Sequence, residues 1–274
     1  MDQWIASYLS ELEAAGRSPY TIASYRQVLG DLLGFLDRRS VRRVRVEQLR
    51  AYLDAQRHLK PGSVRTHCAI VSCFFHWLVE EGAIRENPMA HVRRPRQPQQ
   101  WRPIFSTDEL LAILHAAEET DNPTRNKAIV YLLLDCGLRL SELSGLKPTD
   151  YDARTSTLMV HGKGAKVRLV RLGWHCREAF EEQLAGTNGS LWGIHRAGVR
   201  HLIYRLGDKA GVKANPHKFR HTFSSQFLGA GGTLDELQAL LGHASIQTTM
   251  IYAAAQQQER ALRSHAEHSP GDRL

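Results

Sequence analysis

The chain has 274 residues, 42% of them apolar, and a formal net charge of +8 with a pI near 9.5. That length allows two ordinary domains, the apolar fraction excludes wholesale disorder, and the positive surplus favours a polyanionic partner such as nucleic acid. The start MDQWIASYLSEL has early acidic residues and no basic region before an apolar run, and no apolar stretch reaches the roughly 18 residues of a membrane span, so the sequence predicts a cytoplasmic protein without a membrane partner.

Apolar spacing then marks four helices in succession. Trp4, Ile5, Tyr8, Leu9 and Leu12 form one stripe, and Ile22, Tyr25, Leu29, Leu32, Leu33 and Leu36 form a second, with GRSPYT as the break. Val46, Leu49 and Leu53 give a shorter third. After LKPGSV, the residues Val64, Cys68, Val71, Phe74, Phe75, Leu78 and Val79 repeat at helical spacing to about Glu81. Short connections between such helices predict a bundle over residues 1–84. RENPMAHVRRPRQPQQWRP, residues 85–103, carries four prolines and five arginines without periodicity and reads as an interdomain linker.

A second unit is expected over 104–274. Ser106 and Glu109 stand at capping-box spacing and open a helix, and another runs from about Pro123 to Gly137, where glycine ends it. TLMVHGKGAKVRLVRL has two β-rich runs around Gly-Lys-Gly and reads as a hairpin with Lys163 at its tip. Helices are expected again near 174–185, 195–210, 216–230, 233–241 and 245–260, followed by a polar tail. The fold class is therefore mainly α, with a small antiparallel β-sheet in the second unit. Cys68, Cys73, Cys136 and Cys176 have unrelated spacings and read as reduced core residues.

NPHKFRHTF, residues 215–223, holds the densest chemistry. His217 and His221 are four apart, as metal ligands on one helix face would be, but the glutamate that follows the first histidine of a zinc protease is replaced by Lys218. Lys218 and Arg220 disfavour a cation, so no metal is expected. Asn215 as N-cap and Pro216 as first helical residue instead aim His217, Arg220 and the helix dipole at one point, which suits a phosphate; a capping His217 with an ion-paired Arg220 is the alternative. CGLRLSELSGL sets Arg139 just past a glycine-ended helix with Glu142 three residues on to orient it. LLGHASIQTTMIY sets His243 after Gly242 and Tyr252 in the helix beyond. Taken singly, Lys163 can be solvated, His243 a cap and Tyr252 core.

As an ordered set, GLRLSEL, GKGAKVRLV, HKFRHTF and LLGHASIQTTMIY resemble the signature boxes of the tyrosine recombinases, the phage integrase family, and are most similar to its Xer-type site-specific members. SPYTIASYRQVLGDLLGFL and EEGAIRENPMAHVRRPR extend the resemblance through an N-terminal core-binding, SAM-like domain and the linker. The resemblance implies an enzyme that cleaves and rejoins double-stranded DNA without cofactor, metal or ATP, assembled as a homotetramer on two duplexes and associated with the nucleoid. Under it Arg139 and Arg220 clamp the scissile phosphate, Tyr252 attacks to give a 3′-phosphotyrosyl enzyme, His217 assists that proton transfer, Lys163 protonates the departing 5′-oxygen, His243 donates a hydrogen bond to the phosphate and Glu142 supports. Arg38, Arg39, Arg42, Arg43, Arg45, Arg93, Arg94 and Arg96 are the arginines expected on DNA phosphates. A catalytically idle regulator and a type IB topoisomerase-like relaxing enzyme remain the alternatives.

Overall fold

Caps and prolines in the sequence set where the helices begin. In the computed structural model, which describes residues 1–37, 40–93, 103–162, 166–187 and 189–242, the chain divides into two units, Met1–Gln100 and Trp101–Leu274. The first unit contains α1 (Asp2–Ala14), α2 (Pro19–Phe35), α3 (Val46–Ala55) and α4 (Pro61–Glu80). Ser18 Oγ accepts the Thr21 N–H at 3.2 Å and Pro19 takes the first helical position of α2, so GRSPYT breaks one helix and starts the next. LKPGSV does the same for α4, with Pro61 as its first residue.

Leu29, Leu32, Leu49, Tyr52, Phe74, Phe75 and Leu78 meet in the bundle core, where the Tyr52 hydroxyl lies 2.9 Å from His67 Nδ1. Cys68 is buried with them, but Cys73 is exposed, because it falls beside Phe74 and off the α4 stripe. The first part of the expected linker also belongs to this unit. Pro88–His91 form a 3-10 turn, Asn87 accepts from the Met89 N–H and donates to Ser72 O, and Met89 and Val92 are buried against the bundle. Two apolar side chains among the prolines are enough to fold that stretch back.

The second unit contains α5 (Thr107–Glu118), α6 (Pro123–Asp135), α7 (Leu140–Ser144), β1 (Tyr151–Asp152), β2 (Thr157–His161), β3 (Val167–Arg171), α8 (Trp174–Ala185), α9 (Arg196–Lys209), α10 (Pro216–Gly229) and α11 (Leu234–Leu241). It is mainly helical with one small antiparallel sheet, of order β1-β2-β3, in which Thr157 faces Arg171 and His161 faces Val167. The two-residue β1 and five-residue α7 are too short to leave a periodic signal and were not expected from the sequence. Ser106 and Glu109 form both bonds of the capping box of α5, at 3.1 and 2.9 Å. Ala128, Ile129, Val130, Leu132 and Leu133 make α6 the buried centre, packed by α5, α8 and α10. Among the described residues, no helix is long and apolar enough to cross a membrane.

Helix α9 approaches the segment after it closely. A Cβ added at Gly207 would lie 2.5 Å from Val212 O and 2.6 Å from Ala214 Cβ, and the Val212 N–H donates to Gly207 O at 2.8 Å. This contact seats residues 212–214, which lead into Asn215 and α10. In a helix interior alanine normally gains about 1 kcal/mol over glycine. Here overpacking against backbone reverses the sign, and Gly207→Ala is expected to lower stability by about 1–3 kcal/mol in urea unfolding; equal or higher stability would contradict this packing.

Candidate active site

Helix α10 divides its residues between core and cleft. Asn215 Oδ1 accepts the Lys218 N–H at 2.9 Å and Pro216 is the first helical residue, as the sequence predicts. The Phe219 ring lies 4.7 Å from that of Phe105, and Thr222 Oγ1 accepts the Phe105 N–H at 2.9 Å. Lys218 Nζ sits 3.3 Å from both Glu109 carboxylate oxygens and 4.0 Å above the Phe105 ring. The ammonium therefore points into the core, and the charge argument against a cation at His217 rests on Arg220. His217 is exposed, Arg220 is buried, and the His217 and His221 rings stack at 6.3 Å. They are not members of any group of three metal-ligating side chains among the described residues.

The second arginine is set by the end of α6. Gly137 has φ +56°, and a Cβ there would lie 2.5 Å from Phe223, so only glycine makes this turn. Two residues on, the Arg139 N–H donates to Glu142 Oε2 at 2.8 Å and Arg139 Nη1 donates to Oε1 at 2.6 Å. Arg220 Nη1 donates to Gly137 O at 2.7 Å and Nη2 to Leu241 O at 2.8 Å, while Nη1 stands 3.9 Å from Glu142 Oε2. Arg139 Nη1 also reaches Leu241 O, at 3.5 Å. The C-terminal carbonyls of α11 thus face guanidinium groups, where the negative end of a helix dipole belongs.

A third arginine, to which local sequence spacing gives no pointer, joins this cluster. Arg168 on β3 donates from Nη1 and Nη2 to the two Glu142 oxygens at 3.0 and 2.9 Å, and from Nε to Leu240 O at 2.6 Å. Its signal in the sequence is only one of two arginines in a β-rich run, twenty-six residues from its partner. Burial pushes the Glu142 carboxyl up, but hydrogen bonds from Arg168 and from the Arg139 backbone, with the Arg168 charge and the Arg139 side chain, outweigh it and hold the group below the usual glutamate range.

Arg139, His217 and Arg220 line one cleft of about 690 Å³ together with Arg196, Arg200 and Lys213, against one acidic residue, Asp208, among the described lining residues. Arg196 and Arg200 lie one turn apart at the start of α9 and were also missed, because single arginines on a solvated helix face carry no signal. A concave surface with this charge attracts an anion, and two guanidinium groups braced from behind can hold the oxygens of a phosphate. Lys163, His243 and Tyr252 lie outside the described residues, as do Arg38, Arg39, Arg94 and Arg96. On the first unit Arg42, Arg43, Arg45 and Arg93 are exposed. Arg42 and Arg45 line one groove, with Arg42 Nε held by Ala83 O at 3.1 Å; Arg93 lines another with Arg50 and Arg57.

Comparison with known proteins adds to this geometry. Residues 104–259 match the phage integrase family, and residues 5–82 match its N-terminal SAM-like domain. The tyrosine recombinase XerC of Chromobacterium violaceum is 35% identical over 271 residues, covering 93% of this chain and 90% of its own length. That of Xylella fastidiosa is 32% identical over 254 residues, 86% of each. The solved structure of the XerH site-specific recombinase bound to a palindromic difH substrate, a post-cleavage complex, shares the fold with a TM-score of 0.78 at 19% identity over 95% of this chain and 85% of its own.

The depressed Glu142 pKa ties stability to pH. Its contribution is complete above the unfolded value near 4.3 and is lost as pH falls through the lower folded value. Glu142→Gln is expected to be about 3 kcal/mol less stable at pH 7, since it strands buried Arg168. In denaturant titrations the gap to wild type should close in acid; a gap independent of pH would show that the carboxylate charge is not what binds the cluster.

Proposed function

The chain belongs to the phage integrase family, the tyrosine-type site-specific recombinases, and from that premise we propose that it cleaves and rejoins double-stranded DNA at paired recombination sites through a 3′-phosphotyrosyl intermediate on Tyr252. The observation that carries this reading is the convergence of Arg139 and Arg220 on one basic cleft, with the Glu142 carboxylate bracing Arg139 and His217 at the rim.

In this reading a scissile phosphate occupies the cleft with its non-bridging oxygens on the two guanidinium groups, which also stabilise the charge of the pentacoordinate transition state. The Tyr252 oxygen attacks phosphorus as the bond to the 5′-oxygen breaks. His217 assists removal of the phenolic proton, Lys163 delivers a proton to the leaving 5′-oxygen, which departs as a hydroxyl, and His243 donates a hydrogen bond to the phosphate. The tyrosyl phosphodiester keeps the energy of the broken bond, so a 5′-hydroxyl from a second duplex can reverse the step without ATP. Guanidinium groups supply the charge that a divalent ion supplies elsewhere, so the reaction runs without metal.

Arg196, Arg200 and Lys213 extend the phosphate track beside the scissile position, while Arg38, Arg39, Arg42, Arg43, Arg45, Arg93, Arg94 and Arg96 grip the duplex from the first unit. A homotetramer on two duplexes, a dimer of dimers, is the assembly that paired exchange requires, and a cytoplasmic, nucleoid-associated location follows from the substrate.

A nicked suicide duplex bearing the site is expected to trap the chain as a covalent adduct in EDTA, and Tyr252→Phe is expected to abolish the adduct while still shifting the duplex in a gel. No adduct from wild type would support an idle regulator, and relaxation of supercoils with no recombinant product would support a topoisomerase. Arg200→Ala is expected to weaken binding to all sequences alike and to reduce the salt slope by about one phosphate contact; an unchanged slope would remove α9 from the interface.

A further inference from the structure

The Glu142 carboxylate poses an electrostatic problem for a phosphate site. It steadies Arg139 through the backbone N–H and through Nη1, yet its own negative charge opposes the positive field that a phosphate needs. With one carboxylate facing two arginines, half of their charge is cancelled. Glu142 is buried, so water does little to screen it.

We propose that Arg168 is a positioning residue for strand cleavage: it neutralises Glu142, so that the carboxylate can hold Arg139 without cancelling the field that Arg139 and Arg220 present to the phosphate. This rests on the strand-transfer reading given above. Three observations carry it. The pairing is bidentate, 3.0 and 2.9 Å to the two oxygens, a geometry that a planar guanidinium forms and an ammonium does not. The Arg168 side chain is only 9% exposed, against 37% for Arg139, so of the two arginines hydrogen-bonded to Glu142 the more buried one is spent on the carboxylate while the other also lines the cleft. Arg220 Nη1 stays 3.9 Å from Glu142 and bonds to Gly137 O, which keeps that guanidinium aligned by carbonyls and not captured by the carboxylate.

A second consequence follows from the Nε bond to Leu240 O. Arg168 ties β3 to the last turn of α11, and its Cδ lies 3.3 Å from where a Cβ on Gly242 would sit. Gly242 itself closes α11 in a left-handed turn, φ +61°, beside this side chain.

The test compares single-turnover adduct formation on the nicked duplex for wild type, Arg168→Met, Glu142→Gln and the double variant, with gel-shift affinity measured alongside and folding checked by circular dichroism. Arg168→Met is expected to slow adduct formation at least about 30-fold and to change affinity less than about 3-fold, because the loss falls on the transition state. In the Glu142→Gln background the same change is expected to cost less than about 3-fold, since no carboxylate remains to neutralise. That second comparison replaces both partners of the buried pair and stands even if Arg168→Met alone does not fold. Equal losses in the two backgrounds, or near-wild-type rates in Arg168→Met, would overturn the assignment. Wild type that forms no adduct would overturn the strand-transfer reading and Arg168's role with it, and is distinguishable because it requires no variant.

Discussion

A carboxylate that leaves water has to be met by donors and positive charge, and Glu142 is met by both from three directions. Arg139 reaches it from the turn after α6, Arg168 from β3 and, more distantly, Arg220 from α10. None of these elements is near the others in sequence, so one buried charge fixes the mutual placement of a helix end, a sheet edge and a second helix. The carbonyls of Leu240 and Leu241 add the end of α11 to the same point. Remove the carboxylate and three guanidinium groups repel across a cleft wall; remove the guanidinium groups and the carboxylate has to protonate.

The α10 helix carries the same logic into the core. Lys218, Phe219 and Thr222 are spent on α5 and Phe105, and this anchors the helix so that His217 and Arg220 are presented at fixed depth, one exposed and one buried. Positioning by packed, hydrogen-bonded neighbours is what a phosphate clamp requires, because the guanidinium groups must already be aligned before charge develops on the phosphoryl oxygens. Gly137 and Gly207 serve the same end by allowing close approach where any side chain would collide.

Much of this was readable from local sequence. Helical stripes in the first unit, the Ser106 and Glu109 capping box, the Asn215 and Pro216 helix start and the Arg139–Glu142 pair all depend on residues within a few positions of each other, where spacing reports geometry directly. What the sequence did not disclose depends on distant neighbours. Arg168 meets Glu142 only after the sheet forms, and Lys218 turns from the cleft to Glu109 only because α5 lies beneath it. Met89 and Val92 fold the start of the expected linker onto the bundle because the bundle offers an apolar surface, and Cys73 is exposed because one residue of helical phase separates it from the stripe. The reading of Lys163, His243 and Tyr252 comes from motif order and falls outside the described residues.

A crystal structure of Tyr252→Phe on a duplex that the wild-type chain cleaves is the most direct measurement of how this cluster works. The non-bridging oxygens of the scissile phosphate are expected within hydrogen-bonding distance of Arg139 and Arg220, with Glu142 still clasped between Arg139 and Arg168. A scissile phosphate bound away from both guanidinium groups, or an Arg220 drawn onto Glu142 and off the phosphate, would contradict it.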